Sequence, residues 1–439
     1  MPAPAMVGWH VCSRETALRW TKKMAISQID NHAREQTRRG EQAYTSAEAA
    51  RARIEKLAVV RQRTTADAWK GGVDARTWLL PFTAWMRAGE AAWRPYAQAW
   101  SLGEHGSEPL AEPAWTTPNS IRLELASMRV REFSRAQTPE PATLILTPFA
   151  LHGATIADFA PGHSIVETLQ HAGVSPLLLV ECKSATPSMR FFSIDTYLAE
   201  LNVVIDALGG TVNLVGLCQG GWLSLIYAAQ FPAKVNSLVL AGSPIDLDAA
   251  PSRLVQAART TDLNTFEQIV HSGQGCVLGQ AMLDFWGVRD LDPPAVAEIL
   301  QTDLSQEMFE RFRSWHRWTV DLPGTFYLQV VRQLFRENQL ATSRFEALGR
   351  PADLKMVRVP LYLLAGEADE VTPPEQLLST RNLVGTPREQ VSLATTAGSH
   401  LSLFLGANTM AVEWQQIGTW LARLSAKGAI AARALERAA

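Results

Sequence analysis

The sequence predicts an α/β protein in which helices cover both faces of a mostly parallel central sheet. From about residue 143 onward, short apolar β-prone segments alternate with longer segments of helical period. This alternation is typical of parallel strands joined by crossover helices. One strand-to-helix transition, at Val212 to Trp222, contains a tight glycine turn around a cysteine. A helix-rich stretch at about 246–350 interrupts the alternation, so we expect an insertion there.

Length, charge and cysteine spacing narrow the class of protein. The 439 residues exceed one ordinary core and suggest roughly two to three domains. The net charge of -2 gives no reason to expect nucleic-acid binding, and no apolar run is long enough to span a bilayer. We recognise no signal peptide and expect a cytoplasmic protein. Four cysteines without metal-ligand or disulfide spacing favour a reducing compartment and no metal site: Cys12, Cys182, Cys218 and Cys276.

Residues 1–118 are predicted to form a helical N-terminal region. Within it, successive tryptophans are seven, eight and seven residues apart, which places them on one helical face: Trp78, Trp85, Trp93 and Trp100. We interpret this face as packing on the rest of the protein. The alternative is a docking surface for a partner, a twin subunit or an apolar aggregate. A loop at 101–119, with Gly, Pro and Ser, marks the boundary, and a tail is predicted at 426–439.

Residues 119–425 are predicted to form the main domain. Ile121, Leu123 and Leu125 alternate with polar residues, which indicates a half-buried strand, and the later apolar runs indicate buried strands. Predicted strands lie at 121–125, 128–133, 143–146, 176–180, 212–215, 235–240, 360–365 and 390–394, and predicted helices at 164–171, 192–208 and 222–231. A helical insertion between two sheet strands, here about 246–350, is typical of a cap over an active site.

The turn from Gly216 to Gly221 has the pattern Gly-x-Cys-x-Gly-Gly. A strand, a tight glycine turn and a helix together form the nucleophile elbow of an α/β-hydrolase fold. Gly216 and Gly220 leave space for a strained turn, and Gly221 lets the helix approach the strand. Cys218 occupies the nucleophile position at a helix N-terminus, where the local dipole favours a thiolate. The alternative for Cys218 is a buried small apolar residue.

Two residues downstream of the insertion complete a catalytic triad. In this fold the chain order is nucleophile, acid, base. Asp369 follows the strand at 360–365, and His400 follows the last strand in a loop of small residues. We expect Asp369 to orient His400, which would accept the proton of Cys218. The alternatives are that Asp369 only caps a helix and that His400 is a surface histidine.

An oxyanion hole needs two backbone N–H groups near the nucleophile. The first is predicted to come from Gln219, directly after Cys218. The second is predicted to come from the loop that follows the strand at 143–146. Within that loop we favour Phe149 over Ala150.

The chain resembles the polyhydroxyalkanoate synthases over roughly residues 121–425, and most closely their two-subunit short-chain type. The family's nucleophile box has the same Gly-x-Cys-x-Gly-Gly pattern, and His400 matches the family's general base. Further matching positions are Phe312, Trp315, Leu322-Pro323-Gly324, Glu337-Asn338, Leu340, Asp353-Leu354, Val359-Pro360, Asp369 and Pro373-Pro374. The chain departs from the family's usual residues at Trp222, Glu370 and Ser399.

The resemblance implies an acyltransferase that polymerises hydroxyacyl-CoA thioesters into polyhydroxyalkanoate through an acyl group on Cys218. No cofactor is expected, because CoA enters and leaves as part of the substrate. The resemblance implies a homodimer, with a second synthase subunit or a granule protein as further partners, and a cytoplasmic location that includes polymer granules. Two alternatives remain open: a cysteine hydrolase that cleaves polyhydroxyalkanoate, a thioester or a lactone, and a non-catalytic granule-associated protein.

Overall fold

The computed structural model describes residues 111–134, 141–285 and 291–425. All of them lie in one compact unit of the chain. The tryptophan face, most of the predicted N-terminal region and the tail after residue 425 lie outside the described residues.

Eight strands form the central sheet. They are β1 (Ser120–Glu124), β2 (Met128–Glu132), β3 (Ala142–Leu146), β4 (Leu177–Cys182), β5 (Val212–Leu217), β6 (Val235–Ala241), β7 (Leu361–Gly366) and β8 (Val391–Thr396). Their spatial order is β1-β2-β4-β3-β5-β6-β7-β8. β2 is antiparallel to both of its neighbours, and every other pair in the sheet is parallel. The prediction of a mostly parallel sheet is confirmed.

Helices lie along the chain between and after these strands. They are α1 (Ile165–His171), α2 (Ile194–Ala207), α3 (Gln219–Gln230), α4 (Arg253–Thr260), α5 (Leu263–Ser272), α6 (Gly279–Phe285), α7 (Pro293–Leu300), α8 (Gln306–Arg317), α9 (Gly324–Gln329), α10 (Pro374–Leu378), α11 (Thr380–Leu383), α12 (Ser402–Leu405) and α13 (Ala407–Thr409). π-Helical turns extend α9 over Val330–Arg336 and α13 over Met410–Trp414, and residues 415–425 are helical. Within the described ranges, no helix is both long and apolar enough to cross a membrane.

Successive strand residues face two separate hydrophobic cores, because side chains alternate across a strand. In β3, Leu144 packs in one core with α2 and α3, whereas Ile145 packs in the other with α1 and the C-terminal helix. Leu214 and Val215 divide in the same way in β5. Strands buried on both faces read as continuous apolar runs, which is why the sequence showed no alternation here.

The insertion at 246–350 is mostly helical, but it also contains short strands. Cys276–Val277 pairs with Leu322–Pro323, and Glu346–Ala347 pairs with Arg350–Pro351. The expectation of a helical insertion did not include these short strands and was wrong in this detail. A two-residue strand has no room for an alternating pattern, so periodicity does not reveal it.

A segment just before β1 ties the insertion to the main domain. The Thr117 backbone N–H and hydroxyl donate to the two carboxylate oxygens of Asp158, each at 2.8 Å. Arg311, on α8, donates to the Thr116 hydroxyl at 2.9 Å and to the Phe159 carbonyl at 2.8 Å. The segment at 116–117 therefore contacts both the loop after β3 and a helix of the insertion.

Candidate active site

Cys218 lies in a strained turn between β5 and α3. Its backbone has φ 47° and ψ -113°, a conformation that non-glycine residues rarely adopt. Its N–H donates to the carbonyl of Ala241, at the end of neighbouring β6, at 2.8 Å. Cys218 is 9% exposed. The strand thus presents the thiol at the carboxyl edge of the sheet, as the nucleophile-elbow motif predicts.

Glycine is required on both sides of Cys218 because backbone segments approach closely. A Cβ on Gly216 would lie 2.4 Å from the Cα of Gly221. A Cβ on Gly220 would lie 2.1 Å from the carbonyl oxygen of Leu146, the last residue of β3. Neither contact can relax by a side-chain rotation, since the opposing atoms are backbone. These glycines therefore let α3 pack directly against β5 and β3.

His400 and Asp369 meet beside this turn. The His400 Nδ1 lies 2.7 Å from Asp369 Oδ2. The other carboxylate oxygen accepts the backbone N–H groups of Val371 and Thr372, at 2.9 and 2.7 Å. The Asp369 side chain is fully buried, and the His400 side chain is 14% exposed. Asp369 therefore does both things the sequence suggested: it caps a local turn and fixes the ring of His400.

The pKa of His400 depends on its burial and on two partners. Burial alone lowers this pKa, but the negative charges of Cys218 and Asp369, and the hydrogen bonds that both make to the ring, raise it from 6.5 to about 10. Near neutral pH the ring is accordingly an imidazolium. The structure therefore places a positively charged ring beside the Cys218 sulfur.

The loop after β6 makes room for His400. Gly242 has φ +54°, and a Cβ there would lie 3.3 Å from His400 Cε1 and 2.8 Å from Leu403 Cδ1. The sequence analysis missed this residue. A glycine two residues after the strand predicted at 235–240 was the available signal, because the carboxyl ends of parallel strands line one edge of the sheet.

The two predicted oxyanion-hole residues, Gln219 and Phe149, line one mostly apolar cavity. Cys218, Asp369 and His400 do not line it, so the cavity does not test the oxyanion-hole prediction. The Phe149 ring is buried, with ring-centroid distances of 5.2 Å to Tyr197 and 5.4 Å to Phe326. Gln219 is the first residue of α3, so its N–H belongs to the unpaired first turn of a helix.

Side chains of the insertion share a hydrophobic core with the nucleophile. Cys218 belongs to a buried cluster that contains Leu300, Phe312 and Trp315 of the insertion, together with Phe159 of the main domain. Phe312 and Trp315 of α8 are therefore buried in the same core as Cys218. The insertion at 246–350 is called the cap below.

His152, in the loop after β3, lies in an aromatic cluster. Its ring centroid is 4.5 Å from that of Trp315 and 4.8 Å from that of His316. Burial, and secondarily the charge of His316, lowers the pKa of His152 to about 3, so the ring is neutral. Across the residues that the structure describes, no group of three His, Cys, Asp or Glu side chains is placed to hold a metal.

The fold and the elbow define the class of protein. The model of the alpha/beta hydrolase fold family matches residues 181–407, more than half of the chain. The chain belongs to this family. A haloalkane dehalogenase from Bradyrhizobium elkani is one of many similar solved structures, with 18% identity and a TM-score of 0.46 over 71% of this chain and 99% of that one.

Curated relatives narrow the similarity to polymerases of hydroxyalkanoates. The chain is similar to the poly(3-hydroxyalkanoate) polymerase subunit PhaC of Haloferax mediterranei, at 25% identity over 71% of this chain and 65% of the relative. The Haloarcula marismortui subunit is 24% identical over 69% of this chain and 64% of the relative. The Allochromatium vinosum subunit is 21% identical over 65% of this chain and 82% of the relative. The resemblance seen in the motifs is confirmed, although the match spans less than two thirds of the first two relatives.

Proposed function

We propose that this protein is an acyltransferase that polymerises hydroxyacyl-CoA thioesters through an acyl group carried on Cys218. The observation that carries the proposal is the elbow cysteine beside a histidine held 2.7 Å from a buried carboxylate. A nucleophile, a base and an orienting acid are the parts that covalent acyl transfer needs. The similarity to polyhydroxyalkanoate polymerase subunits supplies the substrate class.

Acylation begins with the thiolate of Cys218. The sulfur attacks the carbonyl carbon of the acyl-CoA thioester, and the carbonyl oxygen becomes an oxyanion. We assign the N–H groups of Gln219 and Phe149 to that oxyanion. When the intermediate collapses, the bond to the CoA sulfur breaks and CoA leaves with the proton of the His400 imidazolium. The products are acyl-Cys218, free CoA and neutral His400.

Transfer returns the site to its starting state. Neutral His400 takes the proton of a hydroxyl on a second hydroxyacyl group, and the oxygen attacks the acyl-Cys218 carbonyl. A new ester bond forms as the thioester bond to Cys218 breaks. The sulfur leaves as a thiolate beside the imidazolium. Asp369 orients the ring and stabilises its charge in both steps.

A cysteine suits this transfer better than a serine. Exchange between two thioesters changes the free energy little, so the acyl group on Cys218 remains activated for attack by a hydroxyl. An acyl-serine would be an oxyester and would lose that activation. CoA arrives and departs with the substrate, so the proposed steps use no resident cofactor. We also propose homodimer formation, with a second synthase subunit or a granule protein as further partners.

Incubation with 3-hydroxybutyryl-CoA tests the function. We expect stoichiometric release of free CoA thiol together with a product of high mass, and neither with Cys218→Ala. Cys218→Ser should retain at most a slow esterase activity. Cys276→Ala, a buried cysteine away from the elbow, is the matched control and should remain active.

The same measurement separates the alternatives. Release of CoA without a product of high mass would replace the proposal with a hydrolase of thioesters or polyester. If neither CoA nor product appears from folded wild-type protein, the non-catalytic alternative stands. Wild-type turnover by Cys218→Ala would refute the covalent mechanism.

A further inference from the structure

Gln301, at the end of cap helix α7, has an unusual backbone conformation. Its φ of 54° places it in the left-handed region, where helix ends commonly carry glycine or asparagine. A longer side chain is disfavoured there unless surrounding contacts hold it. The side chain of Gln301 has such contacts, and none of them is within α7.

The Gln301 amide bridges two segments of the main domain. Its Nε2 donates to the carbonyl of Ala397 at 2.8 Å. Its Oε1 accepts the backbone N–H and the hydroxyl of Thr409, both at 3.1 Å. The amide fits between two glycines: a Cβ on Gly398 would lie 2.9 Å from its Nε2, and one on Gly406 would lie 2.3 Å from its Oε1. The space between these two segments is therefore complementary to a primary amide in both shape and hydrogen bonding.

Ala397 begins the loop that presents His400. On the main-domain side, the loop is held by the Ala368 N–H, which donates to the Gly398 carbonyl at 3.1 Å. Ala368 directly precedes Asp369, so this bond fixes the loop of Asp369 against the loop of His400. On the cap side, the loop is held by Gln301. The His400 loop is therefore supported both by the main domain and by the insertion.

We propose that Gln301 is a positioning residue that couples the seating of the cap to the alignment of His400. The proposal rests on the function assigned to Cys218 and His400 above. When α7 is seated, the amide holds Ala397 and the imidazole meets the Cys218 sulfur. When α7 moves away to admit substrate, the loop loses its cap-side support. The base is then fully aligned only while the cap covers the nucleophile.

Two variants separate this role from a general loss of stability. Gln301→Gly removes the amide but relieves the strain of the positive φ, so the helix end is not penalised. Gln301→Asn keeps an amide and tolerates this backbone conformation, but it is one methylene too short to reach both segments. Gln306→Asn is the matched control, because Gln306 is an exposed cap glutamine whose amide donates to Glu310 on its own helix.

The readout is the alkylation of Cys218 by iodoacetamide as a function of pH, followed by mass spectrometry of the Cys218 peptide. It reports how the imidazole is placed beside the Cys218 sulfur without requiring any polymerase activity. We expect both Gln301 variants to melt near the wild-type temperature and to have alkylation profiles that differ from that of the wild type. The kcat for CoA release should fall at least about tenfold with little change in KM, as misplacement of a catalytic group does. Gln306→Asn should behave as wild type.

Wild-type alkylation profiles in both Gln301 variants would overturn the proposal. So would a shift seen equally in Gln306→Asn. A third outcome is that the Gln301 variants have altered alkylation profiles while the wild-type protein releases no CoA. That outcome would refute the polymerase assignment and leave the positioning role of Gln301 intact.

Discussion

The Asp369→Asn substitution tests the triad most directly because the structure predicts how asparagine would sit. One carboxylate oxygen accepts the N–H groups of Val371 and Thr372, so the single carbonyl oxygen of asparagine is expected to remain there. The side-chain NH₂ would then point at the Nδ1 of His400, where a carboxylate oxygen lies at 2.7 Å in the wild type. An NH₂ group donates, so Nδ1 would become an acceptor and the proton would move to Nε2.

The expected magnitude follows from this wrong tautomer. A ring with its proton on Nε2 cannot accept a proton from the attacking hydroxyl, and such changes in triads cost about 10³- to 10⁴-fold in kcat. That loss corresponds to about 4 to 5 kcal/mol of transition-state stabilisation. Stability should change little, since the shape and the turn-capping bonds remain. Steady-state CoA release, which requires the transfer step in every cycle, and thermal unfolding measure the two quantities.

A matched variant controls for the loss of a turn-capping carboxylate. Asp353 caps the turn at Leu354–Met356 by accepting the Lys355 N–H at 2.9 Å, on an exposed surface away from any histidine. Asp353→Asn should retain wild-type turnover. Folded Asp369→Asn protein with turnover within tenfold of wild type would refute the triad.

Three further predictions concern the charge of His400, the packing of the elbow and the cap. The pKa of His400 is raised above its usual 6.5, so the stability from its charged form is fully present below about pH 6.5 and is lost as pH rises through about 10. An NMR titration should give His400 a pKa near 10 in the wild type and a clearly lower pKa in Cys218→Ala, because the charge of Cys218 is the largest factor that raises this pKa. Equal pKa values in the two proteins would contradict this prediction. Gly220→Ala should cost about 1–3 kcal/mol in chemical denaturation, because its Cβ would clash with the Leu146 carbonyl, and unchanged stability would show that the elbow can relax. Because the cap at 246–350 must open for entry, progress curves should show a lag or depend on enzyme concentration, and linear curves at every concentration would count against gating.

Much of the candidate site was predictable because each of its three main residues follows its own strand. Cys218 comes directly after β5, and Asp369 and His400 lie in the loops that follow β7 and β8; parallel strands bring their carboxyl ends to one edge of the sheet. Local sequence patterns were therefore sufficient to place residues that are up to 182 positions apart, from 218 to 400.

Other features were not predictable because they depend on how separate parts dock. Gln301 reaches Ala397 across 96 residues, and a single glutamine after an apolar helix carries no periodic signal. Gly242 is one glycine among 28 in the chain, and only the position of the His400 ring gives it a role. The position of the cap helices follows from packing of the folded chain, which one sequence pattern does not encode.

The contacts of Thr116 and Thr117 set a limit on how the chain can be shortened. A variant beginning at residue 119, where the sequence predicts the main domain to start, would lack the donors to Asp158 and the acceptor for Arg311. It would also lack Trp115, whose ring packs 5.6 Å from that of Phe133. Truncated variants should therefore begin before residue 115. A loss of activity can then be attributed to the removed region and not to the loss of these contacts.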